Sequence, residues 1–317
     1  MIIEFSCGKI ILVIEMIDFQ NLDIRRKREY DCFLTREERG CEYSFVNLFA
    51  WGRQKCAILG EQMVFFSQYR QKSVYLFPVG QGDKRLAVEA VMEDAHKRGI
   101  PCRFVGLTHK DREFLEANYP GKFHYHDDRD SYDYVYDISD LADLKGKKYQ
   151  KKRNHLNRFR QENPDWCTRE ITEDKLPQVL ALAEQWYDSR LSQSPHSDFL
   201  MERIALKRVL DNWKALGMEG LLLYIKDVPV AMTIGSRLTE KTFDVHFEKA
   251  LDPYSGAYSA INASFAGFLR EKYPDLMYLN REDDMGLEGL RKAKLSYEPH
   301  HMQEKSWACL LEDGYDY

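Results

Sequence analysis

The sequence lacks any arrangement of cysteines that would bind zinc or build a disulfide framework. Its seven cysteines are scattered, odd in number and include no CxxC pair. Cysteine usage of this kind is typical of reduced thiols in a cytoplasm. We therefore predict a cytoplasmic protein with no metal site.

Long apolar runs are missing as well. The longest run near the start, Ile10 to Ile14, is far shorter than the roughly 20 residues that a membrane-spanning helix needs. Charged residues flank this run and no small-residue cleavage signal follows it, so it is also a poor signal peptide. Residues 1–15 are either a strand or a stretch upstream of a true start codon at Met16. We expect no transmembrane segment.

A strong excess of one charge is also absent, because the formal net charge is −5. Affinity for nucleic acid would therefore have to come from a local patch of charge. With 317 residues, 44% of them apolar and 31% charged, the chain is long enough for about two folded, water-soluble domains.

The predicted elements occur twice in the same order: three strands, a helix, a strand, a helix and a strand. Each crossover helix ends before a proline, Pro101 in the first half and Pro274 in the second. This order predicts two α/β domains, 1–144 and 145–317, each with a mixed, mostly antiparallel sheet flanked by helices. The predicted strands and helices are Lys55–Leu59, Met63–Gln68, Ser73–Phe77, Asp83–Arg98, Cys102–Gly106, Lys110–Asn118 and Phe123–His126, then Gly220–Lys226, Pro229–Leu238, Thr242–Lys249, Ala257–Lys272, Leu276–Asn280, Leu287–Lys294 and Gln303–Leu311.

A charge reversal lies between the halves. Asp127 to Asp143 is acidic, and the run that follows, KGKKYQKKRNHLNRFR, carries eight cations and no acid. Read as a helix from Lys147, the run is either a solvated face balanced by the acidic stretch or a helix that binds phosphates of a nucleic acid or a cofactor. The candidate phosphate- or RNA-binding residues are Lys147, Lys148, Lys151, Lys152, Arg153 and Asn154.

The segment LMYLNREDDMGLEGLRKAKLSYEP places five polar residues directly after a short apolar strand. Ligands of open α/β sheets bind at such strand ends. The segment is either a loop in which Arg281 pairs with Asp283, or a site for a cationic group such as an ammonium, since clustered carboxylates repel one another. The candidate residues are Asn280, Arg281, Glu282, Asp283 and Asp284.

The strand TFDVHFEK alternates, with Phe243, Val245 and Phe247 on one face. The other face would carry Asp244, His246 and Glu248. These three are either simply exposed or line a cleft in which His246 is a general base that a neighbouring carboxylate orients.

The turn before the next helix is a weak candidate for binding an anion of a cofactor. Its residues Ser255, Gly256 and Ala257 offer free N–H groups but only one glycine, and they match neither a Walker loop nor a dinucleotide fingerprint. Ser194 and Cys167 have no recognisable activating neighbours, so no hydrolase triad is predicted.

Together, YDISDLADLKGKKYQKKRNHLNRF and YLNREDDMGLEGLRKAKLSYEP resemble the soluble, uncharacterised relatives of the phosphatidylglycerol lysyltransferase C-terminal domain, from about Met16 to Leu311. The resemblance implies two tandem acyltransferase folds of the GNAT type. Related Fem peptidyltransferases also carry a basic helix where the halves join. Characterised members move an amino acid from aminoacyl-tRNA to a lipid hydroxyl or a peptidoglycan amine.

By that resemblance, the basic helix would contact tRNA, Asp283 and Asp284 would bind the aminoacyl ammonium, and His246 would accept the proton of the nucleophile. No cofactor would be required. The turn at 253–258 departs from the GNAT loop that binds acyl-CoA, and a lipid acceptor is not supported without a membrane domain. Three functions stay open: aminoacyl transfer to an amine, hydroxyl, lipid-headgroup or peptide acceptor, acyl-CoA-dependent N-acylation, and non-catalytic binding of an amino compound.

Overall fold

Turn residues separate the periodic apolar segments of the sequence, and these segments form the strands and helices. The predicted order is confirmed throughout the first half and, in the second half, as far as the helix Glu288–Leu295. The computed structural model describes residues 2–6, 9–13, 16–35, 37–52, 54–69, 72–193 and 197–311. Ser194 lies outside these described residues. The strands are β1 Ile2–Ser6, β2 Lys9–Val13, β3 Gln20–Asn21, β4 Gln54–Leu59, β5 Gln62–Tyr69, β6 Lys72–Gly80, β7 Arg103–Leu107, β8 Phe123–Asp127, β9 Asp133–Asp137, β10 Trp166–Glu170, β11 Glu219–Ile225, β12 Val228–Arg237, β13 Thr242–Ala250, β14 Tyr278–Asn280, β15 His301–Gln303 and β16 Ser306–Leu310. The α-helices are α1 Lys27–Leu34, α2 Phe45–Ala50, α3 Arg85–Arg98, α4 His109–Asn118, α5 Ile138–Asp143, α6 Gln150–Glu162, α7 Leu176–Gln193, α8 Ser197–Asp211, α9 Trp213–Leu216, α10 Ala257–Lys272 and α11 Glu288–Leu295.

Two seven-stranded mixed sheets carry the fold. The first has the order β3-β4-β5-β6-β7-β16-β8 and the second β10-β11-β12-β13-β14-β9-β15. Each contains one parallel pair, β6 with β7 and β13 with β14, among antiparallel neighbours. The predicted class, two tandem GNAT-like α/β domains, is confirmed. A separate antiparallel pair, β1 and β2, covers part of residues 1–15.

The two sheets do not divide the chain at one point. The described residues of 1–39, 53–129 and 304–317 pack as one compact unit, and those of 40–52 and 130–303 as another. The predicted boundary between residues 144 and 145 lies inside the second unit, because β9 pairs with β14 and β15. The prediction of a single last strand, Gln303–Leu311, is wrong. Gln303 is the last residue of β15 in the second sheet, whereas Ser306–Leu310 form β16, which lies between β7 and β8 in the first sheet.

The second unit, which holds most of the candidate residues, is built around a core between its sheet and helices α5, α6 and α10. Phe243 and Val245 of β13 pack there with Phe265 and Leu269 of α10. The stripe predicted for the basic helix, Tyr149, Leu156 and Phe159, is buried in the same core. The core therefore fixes the positions of α6 and α10 relative to β13, the strand that carries the candidate site.

Candidate active site

The candidate site lies where the two parallel strands of the second sheet stop pairing. β13 and β14 pair from Thr242↔Tyr278 to Asp244↔Asn280, and the ladder ends there. Beyond this point the side chains of β13 face the loop 281–284. Glu282, in that loop, has φ +57°, which is unusual for a residue with a side chain. Two pairs of side chains bridge the opening: His246 with Glu282, and Arg281 with Glu248.

A β-bulge sets the direction of the side chains at this opening. Phe247 pairs with Ile234 and Val245 with Gly235, so His246 is the extra residue. The bulge shifts the alternation of β13. Glu248 contacts Asn262 of α10, on the same side of the sheet as Val245, instead of sharing a face with His246. The predicted common face of Asp244, His246 and Glu248 is therefore wrong for Glu248.

His246 is held by hydrogen bonds on both ring nitrogens. Nε2 lies 2.8 Å from Ser236 Oγ, and Nδ1 lies 3.2 Å from Glu282 Oε1 and 3.6 Å from Asp244 Oδ2. The imidazole is 1% exposed. Because carboxylates only accept hydrogen bonds, Nδ1 carries a proton, and in the neutral ring Nε2 is then the basic nitrogen. That basic nitrogen points at Ser236.

Buried polar groups fix Glu282 in turn. Its N–H donates to Asn280 Oδ1 at 2.7 Å, and its Oε1 accepts from Asn47 Nδ2 at 2.8 Å. Asn280 is itself tied to Asp133 of β9, which accepts its Nδ2–H at 2.9 Å. The carboxylate that faces His246 is thus positioned from α2, β9 and β14 together.

The second pair of side chains at the opening is an ion pair between Arg281 and Glu248. Their side chains are 14% and 10% exposed, and Arg281 Nη2 donates to Glu248 Oε1 at 2.8 Å. Lys152 of α6 comes close to this pair and stacks on the Tyr297 ring. Burial, with a smaller contribution from the nearby Arg281, lowers the pKa of Lys152 to about 8, and Glu248 opposes the change. One lysine of the predicted RNA-binding helix therefore faces inward.

The acidic pair predicted to share a site with His246, Asp283 and Asp284, hydrogen-bonds to other groups. The buried Asp284 accepts two hydrogen bonds from Arg291, at 2.8 Å each, and one from Tyr134. These contacts from Arg291, which outweigh burial, hold the pKa of Asp284 well below its usual range. Half-buried Asp283 accepts from the N–H of Met285. Of the three acids in the loop, the one that contacts His246 is Glu282.

Lys294 of α11 hydrogen-bonds to the backbone of the loop 281–284. Its ammonium donates to the carbonyl oxygens of Arg281 and Asp283. Burial lowers the pKa of Lys294, and the nearby Arg281 adds to this. The strained backbone at Glu282 is therefore held by side chains of α11 and by Asn280.

The remaining basic residues separate by environment. Lys147, Lys148, Lys151 and Asn154 are exposed, and Lys148 pairs with Asp140 at 2.8 Å. Arg153 donates instead to the backbone carbonyls of Leu144, which caps the end of α5, and of Gly146. Within the basic helix, the exposed lysines are the cations that are accessible to a ligand phosphate.

The turn predicted to bind a cofactor is filled by the protein itself. Gly256 has φ +86°, and a Cβ there would lie 2.7 Å from the carbonyl oxygen of His155. The glycine is thus required by the close passage of α6. Ser255 is exposed and Ala257 is buried at the first position of α10.

Within the part of the chain that the structure describes, two groups of side chains have the spacing of a metal site. The ligand atoms of Asp244, His246 and Glu282 lie within 4.8 Å of one another, and those of Cys41, Glu42 and Asp133 do the same. An ion in the first group would have to replace the hydrogen bond between His246 and Glu282. The absence of a metal site stays a prediction.

Sequence reasoning missed Ser236, Asn47 and Asp133. Asp133 begins a buried strand, DYVYD. The two tyrosines between the aspartates are residues that favour a strand, so the sequence does contain a signal for this element. Ser236 is one small residue near the end of β12, and the pairing of β12 with β13 brings it to His246. The sequence holds no local signal for that contact.

Comparison with known proteins places this arrangement in a family. Residues 34–309 match the family model described as phosphatidylglycerol lysyltransferase, C-terminal. A crystal structure of a conserved protein of unknown function from Bacteroides thetaiotaomicron VPI-5482 is 38% identical, with a TM-score of 0.88 over 93% of this chain and 100% of the other. The structure of L-PGS from Bacillus licheniformis is 13% identical, with a TM-score of 0.66 over 91% of this chain and 92% of the other.

An uncharacterized protein of Mycoplasmoides gallisepticum is 26% identical over 198 residues, 61% of this chain. The match spans 60% of the length of that relative. Among the described residues, no helix is both long and apolar enough to cross a membrane.

The tandem sheets, with a polar site at the end of a parallel strand pair, define a GNAT-like protein, and the comparisons support an acyltransferase. The chain belongs to the family of the phosphatidylglycerol lysyltransferase C-terminal domain.

Proposed function

We propose that this protein transfers an aminoacyl group from aminoacyl-tRNA to an amine or hydroxyl acceptor. The observation that carries the proposal is His246, a buried imidazole at the bulge where β13 and β14 part, held by Glu282. A neutral imidazole fixed by a carboxylate is suited to take the proton of a nucleophile that attacks an ester. Membership of the family supports an aminoacyl ester as the substrate.

The charges around the opening suit the two parts of such a donor. Glu282 is 26% exposed and Asp283 is half-buried beside it, so these carboxylates are placed to bind the ammonium of an aminoacyl group. The exposed lysines of the helix that includes α6, Lys147 and Lys151, are suited to bind tRNA phosphates. Catalysis would come largely from holding ester and nucleophile together in a site with little water.

Acyl-CoA is a weaker candidate for the donor. In this chain the turn before α10 keeps a single glycine, and the backbone of α6 already occupies the space above it. A phosphate would have to displace α6 to approach these N–H groups. The turn therefore favours aminoacyl-tRNA over acyl-CoA.

The experiment is a transfer assay with tRNA charged with radiolabelled amino acids. Label is followed from tRNA into a mixture of cell lipids in vesicles and a small-molecule extract, with His246→Ala as the test variant and the exposed His300→Ala as control. Transfer that needs His246 but not His300 supports the proposal. A parallel reaction contains radiolabelled acetyl-CoA, and label that moves only from this donor overturns the proposal in favour of N-acylation. Binding of an amino compound without any transfer overturns it in favour of a binding module.

A further inference from the structure

We infer that Ser236 is a covalent nucleophile, which takes the acyl group onto its Oγ before the acceptor receives it. Ser236, His246 and Glu282 form the serine, histidine and carboxylate of a catalytic triad. The inference rests on the proposed function for the identity of the donor, although the triad itself stands on geometry alone.

The contacts meet the distances of an activated serine. Ser236 Oγ lies 2.8 Å from His246 Nε2, and His246 Nδ1 lies 3.2 Å from Glu282 Oε1. Hydrogen bonds of about 2.6–3.2 Å from nucleophile to base and from base to an orienting group are the signature of nucleophilic catalysis. The residues come from β12, β13 and the loop after β14, so the arrangement is recognised by geometry and not by sequence order.

The tautomer of His246 supports the same assignment. The two carboxylates near Nδ1, Glu282 and Asp244, require a proton on that nitrogen, which leaves the lone pair of the neutral ring on Nε2. Because Ser236 occupies Nε2, an external acceptor reaches this base only by displacing the serine. The first proton that His246 can take is therefore the hydroxyl proton of Ser236.

The surroundings suit an ester intermediate. Ser236 is 4% exposed and the imidazole is 1% exposed, so bulk water has little access to an acyl group held there. Glu282, at 26%, is the most exposed of the three side chains, which puts the open side of the site at the carboxylates proposed to bind the ammonium.

The steps balance without any oxidant or reductant. Ser236 Oγ bonds to the ester carbonyl carbon while its proton moves to His246 Nε2. The bond from that carbon to the ribose oxygen then breaks, and the oxygen takes the proton from His246. In the second half the acceptor amine or hydroxyl attacks the seryl ester, His246 takes the acceptor's proton, and Ser236 Oγ recovers it as the ester breaks.

The first test uses the full chain and charged tRNA without an acceptor, quenched in acid and analysed by intact-protein and peptide mass spectrometry. We expect a mass increase of one aminoacyl residue on Ser236. Ser236→Ala should lose both the label and transfer, the latter by on the order of 10³-fold or more. Ser236→Cys should keep a label that hydroxylamine removes, and Ser139→Ala, an exposed serine of α5, should behave as wild type. Thermal melting shows that the variants are folded.

The second test separates this inference from the proposed function. A fluorophosphonate probe, which labels activated serines without needing any donor, should modify Ser236 in the wild-type chain but not in His246→Ala. If transfer from charged tRNA continues at the wild-type rate in folded Ser236→Ala and no seryl adduct forms, the covalent step is overturned and direct transfer stands. If no transfer occurs but the probe labels Ser236, the donor is wrong and the triad stands. An unreactive Ser236 in both tests overturns the inference.

Discussion

The ammonium nitrogen of Lys152 lies 3.8 Å from the centre of the Tyr297 ring, on the inward side of a helix whose neighbouring lysine, Lys151, faces solvent. Burial in this position lowers the pKa of Lys152 to about 8. The basic helix thus contains one cation that the fold disfavours among others that water solvates.

A first prediction concerns the stability cost of that cation. A lysine whose pKa is lower in the folded than in the unfolded protein destabilises the fold while it is charged. Lys152→Met should therefore raise the free energy of unfolding at pH 7, by on the order of 1 kcal/mol because Lys152 is partly exposed. Between about pH 8 and 10.5 the unfolded chain holds a proton that the folded chain lacks. The unfolding free energy of the wild type should therefore rise with pH in this range and approach that of Lys152→Met.

Urea unfolding at pH 7 and pH 10 measures the effect. Lys151→Met, in the exposed neighbour, should show no such dependence on pH. A gap between Lys152→Met and wild type that is equal at both pH values would contradict the assignment.

A second prediction concerns the buried Asp284 and its partner Arg291. Asp284→Asn leaves Arg291 with the exposed Asp130 as its carboxylate partner and should cost about 2–3 kcal/mol of unfolding free energy at pH 7. Because the pKa of Asp284 is lowered in the folded state, its contribution is present above about pH 4 and is lost as pH falls below that. Wild type and variant should converge in urea titrations below that pH. Asp275→Asn, which removes an exposed pair with Arg237, should change stability by less than about 0.5 kcal/mol.

A third prediction uses two glycines at contrasting places. Gly256→Ala adds a Cβ 2.7 Å from the carbonyl oxygen of His155 at a positive φ, so it should destabilise the protein by about 1–3 kcal/mol. Gly267→Ala, inside α10 with open space around it, should stabilise by about 0.5–1 kcal/mol. Thermal melting of both variants measures the contrast. Equal effects would show that α6 does not press on this turn.

A fourth prediction tests RNA binding by the exposed lysines. Replacing Lys147 and Lys151 by alanine should weaken binding of unfractionated tRNA and reduce the slope of log K against log salt by about 1 for each lysine. Filter binding at several salt concentrations gives the slope. The matched control replaces Lys207 and Lys214, which are exposed elsewhere in the second unit. If both pairs change the slope alike, the binding is diffuse and not a property of the basic helix.

Local signals predicted the elements well, because each depends on a few consecutive residues. The helix after Ser255 and the strand from Thr242 are where the periodicity of apolar residues places them. Other pairings join residues more than 100 positions apart, as between β9 and β14, and no local pattern specifies them.

The site shows the same division. His246 and Glu282 were both candidates, since clustered polar residues at strand ends are visible in sequence. Their contact, and the inward turn of Lys152, depend on a bulge and on helix packing. One extra residue in β13 was enough to send Glu248 to the opposite side of the sheet.

The placement of β16 between β7 and β8 has a consequence for how the chain is made. During translation the segment up to residue 129 emerges with a gap in its sheet, and the strand that fills it, Ser306–Leu310, is synthesised only after every strand of the second sheet. The sheet of the early segment therefore keeps unpaired strand edges until all of the second sheet has been synthesised. Cellular yield should then be sensitive to chaperones that cover exposed strand edges, and expressing either half alone would leave each sheet without one of its inner strands.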